Sequence, residues 1–185
     1  MKKKNTFIAI LRGINVSGKN LIKMPDLVRI FESMGFENVS TYLQSGNVIF
    51  ETDSFSHIDL QKQITSQIKQ ELDLNVPVIV FGSEYIVQVC ENNPFVKLLD
   101  TDVTKLYVTF LSEVPEHSRV EKIHSDQYLP DAFVMEEKVV YLNCNGGYGK
   151  TKLNNNFFEN KLKVTATTRN WNTVNKLAAL SEEDK

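Results

Sequence analysis

Three short stretches of this chain carry the residue types that recognise charge. They are Arg12-Gly13-Ile14-Asn15 with Gly18-Lys19-Asn20, then Thr41-Tyr42-Leu43-Gln44-Ser45-Gly46-Asn47, then Thr167-Thr168-Arg169-Asn170-Trp171-Asn172-Thr173. Arg12, Lys19 and Arg169 are cations. The amides of Asn15, Asn20, Gln44, Asn47 and Asn170 each bring donors and an acceptor, and Tyr42, Ser45 and Thr168 bring hydroxyls. This is equipment for holding a phosphate or carboxylate and orienting what is attached to it. Nothing pairs a nucleophile with a base. No Gly-x-Ser-x-Gly elbow, His-Glu-x-x-His helix or paired-cysteine motif occurs. On one helix, His117 and His124 would stand ~10 Å apart, too far to share an ion without other ligands. The residues therefore point to a small anionic or phosphorylated ligand, a nucleotide among its forms, and assign no reaction, cofactor or metal.

Each stretch also has a plainer reading. Arg12 to Asn20 can turn successive backbone N–H groups and two cations toward an anion, or it is a tight connection in which Gly13 and Gly18 solve backbone geometry and Arg12 makes an ion pair. Thr168 reads as the N-cap of a final helix whose first turn, with Arg169, favours an anion; the alternative is capping alone. Gly46 and Asn47 suit a hairpin turn, which leaves Tyr42 and Gln44 unexplained. Gly146-Gly147-Tyr148-Gly149-Lys150-Thr151 sits like a phosphate-binding P-loop, but Cys144 stands where that motif has its first Gly. What is left there is a Gly-rich cover with Lys150 or Lys152 reaching an anion, or a mobile connection.

These residues need elements to aim them. Apolar spacing and turn residues predict a strand over 6–11, a helix over 24–34, strands over 39–43 and 48–51 around a tight turn at 45–47, and a helix over 57–72 with Ile58, Ile64, Ile68 and Leu72 on one side. A strand over 76–81 and a helix over 83–90 follow. The second half predicts a strand over 106–111, a helix over 115–123, strands over 132–135 and 139–142 around Glu136-Glu137-Lys138, a helix over 152–162, and a strand over 163–167. A last helix over 170–180 would present Trp171, Val174, Leu177 and Ala178 on one face and Arg169, Thr173 and Lys176 on the other. The order β-α-β-β-α-β plus a helix occurs twice. It predicts an α+β fold of two ferredoxin-like subdomains related by duplication, 1–95 and 96–185, each a sheet with helices on one face, and a cleft between them for the ligand.

Composition bounds the partners. The 185 residues, 42% hydrophobic and 24% charged, are ordinary for a globular chain of one domain or two small ones. A formal charge of -2 and pI near 6.0 give no global attraction to nucleic acid or anionic membrane, so anion binding must be local. Met1-Lys2-Lys3-Lys4 is basic, yet the strand-like run behind it reaches Arg12 too soon for a signal peptide, and no apolar run approaches the ~18 residues of a membrane span. Cys90 and Cys144 read as buried thiols in a reducing compartment. The expected address is the cytoplasm, and nothing indicates oligomeric state.

The runs LRGINVSGKNLIKM, TYLQSGNVIF, TKLNNNFFENKL and TTRNWNTVNKL resemble the uncharacterised bacterial family DUF1697, over residues 7–50 and 149–177 with a looser middle. The resemblance implies an α/β protein of two similar subdomains and brings no established activity. Ser17 stands where many members carry Gly, which would restrict the loop backbone. Two other functions compete with small-ligand binding. Ferredoxin-like sheets can stack bases on aromatics, here Phe50 and Tyr107, but QSGNVIFE lacks the basic-Gly-aromatic pattern of an RNA-recognition strand. The remaining alternative is a protein-interaction domain whose polar clusters are only caps and turns.

Overall fold

Strand β1 (Asn5–Leu11) centres the first sheet because its backbone groups bond alternately to both sides: to β3 (Asn47–Thr52) and to β4 (Val78–Gly82), each antiparallel. Strand β2 (Glu37–Thr41) lies outside β3, giving the order β2-β3-β1-β4. The structure, a computed structural model, describes residues 4–16, 18–53, 56–98 and 101–182. Met1 to Lys3 and Ser17, each singled out above, lie outside the described residues. Phe7, Ala9 and Leu11 of β1, with Val48, Phe50, Val78 and Val80, pack against helices α1 (Met24–Ser33) and α2 (His57–Leu72). Ile8, Ile10, Ile49, Ile79 and Phe81 point the other way and are buried as well, so both faces of the sheet are covered.

The helices form where the residues dictate. Pro25 opens α1, Leu27, Ile30 and Phe31 give it a buried stripe, and Gly35 at φ 80 ends it. Ser56 caps α2 by accepting from the Asp59 N–H at 3.2 Å. Its buried stripe is Leu60, Ile64 and Ile68; Ile58, expected on that side, is 55% exposed. The reason is angular: two residues before Leu60 is a turn of about 200° around the axis.

The second sheet repeats the plan. Strand β5 (Leu106–Leu111) lies between β7 (Val139–Asn143) and β8 (Ala166–Asn170), with β6 (Ala132–Glu136) outside β7, in the order β6-β7-β5-β8. Helix α5 (Asn155–Leu162) lays Phe158 and Leu162 on Leu111, Val140, Leu142 and Ala166. With α3 (Ser83–Asn92), the one-turn α4 (His117–Val120) and α6 (Trp171–Leu180), the architecture is α+β: two four-stranded antiparallel sheets and six helices among the described residues. The two compact units are 1–87 with 176–185, and 88–175, where the residue pattern divides the chain at 95. No helix among the described residues is long and apolar enough to cross a membrane.

Several bounds shift by two or three residues from the residue pattern, those of β2, β4 and the start of α5 among them, and three differences have a local cause. The helix expected over 115–123 is only α4, since Val120 and Ile123 are its sole apolar residues after Pro115. Strand β8 begins three residues late because Lys163, at φ 62, closes α5 in the left-handed region. The β2–β3 connection is a loop over 42–46 with Leu43 at φ 60 and Gly46 at φ 75, wider than a two-residue turn.

Gly46 yields a prediction. A Cβ there would lie 2.6 Å from Ile14 Cδ1 and 2.8 Å from Leu11 Cβ, whereas at Gly147, also left-handed at φ 81, it would meet nothing within 4 Å. Gly46→Ala should cost about 2–4 kcal/mol in urea unfolding, and Gly147→Ala about 1–2 kcal/mol. Equal losses would show that close packing does not govern the turn.

Candidate functional site

Hydrogen bonding continues past the end of β1: the Leu11 N–H donates to Gly46 O and the Arg12 N–H to Pro77 O, both at 2.8 Å. The chain then takes twelve residues, 12–23, to reach α1, against roughly two to six for a usual connection of this kind. Gly13, Asn15, Gly18 and Asn20 all have positive φ, from 48° to 73°. Glycine adopts this region freely, and asparagine tolerates it. The Asn15 side chain donates to Ile22 O at 2.9 Å and to Gln44 O at 2.8 Å, while its Oδ1 accepts from the Ile22 N–H at 2.9 Å. Asn20 donates to Gly13 O at 3.1 Å, and the Asn15 N–H donates to Asn20 O. The Asn20 amide thus bonds inside the loop, and the Asn15 amide bonds both inside it and to the neighbouring turn. Arg12 is half-buried and Lys19 exposed.

The second polar stretch is folded in the same manner. Asn47, fully buried, donates to Tyr42 O at 2.7 Å and Ser45 Oγ at 3.0 Å, and the Tyr42 N–H donates to Asn47 O at 3.0 Å. Ser45 and Asn47 therefore build the turn, while Gln44 is exposed and Tyr42 half-exposed. The Asn15–Gln44 bond brings the first two stretches together. Beside them lies an open depression of about 390 Å³, lined by Asn15, Ile22, Gln44 and Leu72 and by Lys23 and Asp26, which stand outside the polar stretches. Asp26 also reaches Arg29, Oδ1 to Nη2 3.3 Å. Neither Arg12 nor Lys19 lines the depression.

The third stretch belongs to the second unit up to Asn175, and its roles change. Thr168 lies within β8 and does not cap α6. The cap is Asn170, whose Oδ1 accepts from the Thr173 N–H at 2.8 Å. Arg169 is a strand residue, 8% exposed, donating to Thr167 Oγ1 and Thr168 O at 2.9 Å each, so it does not stand at the first helical turn. Thr173, expected on the polar side, is buried with Trp171 and Val174; Lys152 and Lys176 are exposed.

The Thr168 hydroxyl instead anchors a network absent from the sequence expectations. It donates to Asn155 Oδ1 at 2.6 Å and accepts from the Tyr148 hydroxyl at 3.0 Å. Its one proton is then used, so in the 2.7 Å contact with Thr109 the Thr109 hydroxyl is the donor. The Asn155 N–H closes the circuit on the Tyr148 oxygen at 3.2 Å. A tyrosine between glycines is a faint signal, and the Thr109–Thr168 pairing is fixed by sheet register, which no local pattern shows.

Neither aromatic considered for base stacking is open. Phe50 is fully buried among Phe7, Phe31 and Phe36, and Tyr107 is half-buried against Tyr148, ring centroids 5.1 Å apart. Cys144 is buried as expected and Cys90 only half-buried; both are free thiols, each pushed up to about 11 chiefly by burial, with Asp131 and Glu91 respectively adding to it.

Two measurements follow. Tyr148→Phe should cost about 1–3 kcal/mol and speed proteolytic nicking in the loop over 145–150, because the Asn155 N–H loses its acceptor; unchanged cleavage would mean that the loop is held by other contacts. Folded Cys90 and Cys144 should react with a thiol reagent at pH 8 far more slowly than the unfolded chain. As the folded thiols ionise later than the unfolded ones, near 9, stability should be level below that pH and decline from there toward 11. Reaction at the unfolded rate would refute the burial argument.

Comparison with known proteins fits this architecture. The conserved bacterial protein SP0830 from Streptococcus pneumoniae is similar in structure, with a TM-score of 0.74 and 20% identity over 97% of this chain and 100% of that one, a likeness in fold alone. No curated protein matches the chain. The family model described as "Protein of unknown function (DUF1697)" matches residues 4–141, about three-quarters of the length, and the chain belongs to that family.

Proposed function

We propose that this protein binds a small anionic or phosphorylated ligand, a nucleotide among its forms, in the cytoplasm, at the long loop of the first unit. One observation carries the reading: a connection twice the usual length is braced by its own asparagines and carries two cations, Arg12 and Lys19. A loop that only joined two elements would need no such internal framework. Its rigidity lowers the entropy cost of holding a ligand. Arg12 and Lys19 supply positive charge, Gly13 brings its backbone close, and Tyr42 and Gln44 orient the remainder; Asn15, Asn20, Ser45 and Asn47 hold the frame. Lys152, Thr168, Arg169, Asn170 and Lys176 have no part in this reading, since the middle three serve local structure. The strand orders support reading each unit as ferredoxin-like and the pair as a duplication.

The test is thermal unfolding with a panel of nucleotides, sugar phosphates and inorganic phosphate. Ligand at about 100 times its Kd adds about 2.7 kcal/mol. At least one anion should raise Tm by several degrees in the wild type and not in the Arg12→Ala, Lys19→Ala double variant. Silence of the wild type across the panel at about millimolar concentration, or an undiminished response in the double variant, would refute the proposal.

A further inference from the structure

A sheet's outer strand leaves one row of N–H and C=O groups without a strand partner, an invitation to any extended chain. The four outer strands here differ in what guards them. In β2 the register slips between Glu37 and Ser40, Asn38 sits at φ 48, and charge flanks it through the Lys4–Glu37 pair and Glu51. In β4 the side chains Val78 to Phe81 are all buried. In β8 the Glu159 carboxylate accepts from the Ala166 N–H at 3.1 Å, and Arg169 donates to Thr168 O. Strand β6 differs: its charge stands only at its ends, and the short segment 125–128 packs against it through Tyr128 on Phe133. Its register with β7 is unbroken from Ala132 to Glu136, it contains no proline or lysine, and Ala132 to Met135 are half-exposed and apolar.

Register also says which groups of β6 face outward. The Leu111 N–H donates to Lys138 O at 2.8 Å and the Cys144 N–H to Lys105 O at 2.9 Å, so the even-numbered residues of β7 bond to β5. Val139, Tyr141 and Asn143 are left to bond β6, where they face Glu136, Val134 and Ala132. Phe133 and Met135 therefore direct their N–H and C=O groups away from the sheet. Only extended backbone answers donors and acceptors at that spacing. Asp131, whose carboxylate also accepts from the Asn145 N–H, at one end and the exposed Glu136 and Glu137, beside the half-buried Lys138, at the other leave both ends net acidic. Two copies paired antiparallel about Val134 would set Asp131 and Glu137 opposite one another, a like-charge contact.

We propose that the outer edge of β6 docks an extended peptide segment of another protein, apolar at alternate positions and basic at both ends, as a fifth strand of the second sheet. The occupant's ends complement the acidic flanks, and its backbone pairs with Phe133 and Met135.

The test follows amide hydrogen exchange of the full chain by NMR, with a synthetic peptide of alternating Val and Thr bearing two Lys at each end. At ~1 mM peptide, exchange at Phe133 and Met135 should slow about ten-fold, while Ala132, Val134 and Glu136, already bonded to β7, stay unchanged. Met135→Pro removes one outward N–H and no β7 bond, and should abolish the effect. The charge reversal Glu136→Lys with Glu137→Lys should do so even if the proline variant fails to fold. The proposal is overturned by absence of slowing, by equal slowing with Glu in place of the peptide's Lys, or by protection that rises with protein concentration alone, which would make a second copy the occupant.

Discussion

The side-chain amide of Asn15 fixes the exposed end of the first unit. With one residue it ties the long loop to its own far side at Ile22 and to the neighbouring turn at Gln44. Each such bond is worth only about 1 kcal/mol net. The consequence is nonetheless large, because without them two connections would sample independent conformations, and any side chain they carry would arrive at a ligand unplaced. Gly46 makes the contact reachable: lacking a Cβ, it lets Leu11 and Ile14 press against the turn while its carbonyl accepts from Leu11. Backbone freedom at one position and side-chain hydrogen bonding at another thus solve the same problem.

The second unit reaches rigidity through hydroxyls. Thr168 places its oxygen where three partners converge, and with a single proton to give it must accept from the other two. Saturated half-buried networks of this sort specify one arrangement, since moving any member strands another. Tyr148 links the glycine-rich loop to β8 and to the start of α5, so a stretch that looks mobile by composition is held at its centre.

What could be read from the residues were patterns that close on themselves. The β1 and β5 strands, the bounds of α2 and the buried face Trp171–Val174–Leu177–Ala178 follow from spacing alone, because each must hide a continuous apolar stripe. Errors arose where two local solutions compete. Thr168 and Asn170 both make good caps, and the choice was settled by sheet pairing with Thr109 and Tyr107, partners about sixty residues away. Ile58 and Thr173 were misplaced by angle: Ile58 lies well away from the Leu60–Ile64–Ile68 stripe, whereas Thr173 sits at the edge of its own, close enough to be buried. At the candidate site the residue types were legible and their tasks were not. A sequence shows that Asn15 can hydrogen-bond; only the fold shows that its bonds are internal.

The two units elaborate opposite ends of equivalent sheets. In the first, the long connections are 12–23 and 42–46, both at the end where β1 finishes and β3 begins. The equivalent end of the second sheet, where β5 finishes and β7 begins, has shorter connections: 112–116, a two-residue turn at Glu137 and Lys138, and 163–165. There the long connections are 121–131 and 144–154, at the end where β5 begins and β8 finishes. Tyr148, Thr168 and Asn170 lie at that end, so they are not counterparts of Arg12 and Asn15 under the common topology. A duplicated scaffold that carried one ligand site per copy would show its polar clusters at matching strand ends. These do not match, so the proposed site in the loop of the first unit has no counterpart at the matching strand end of the second among the described residues.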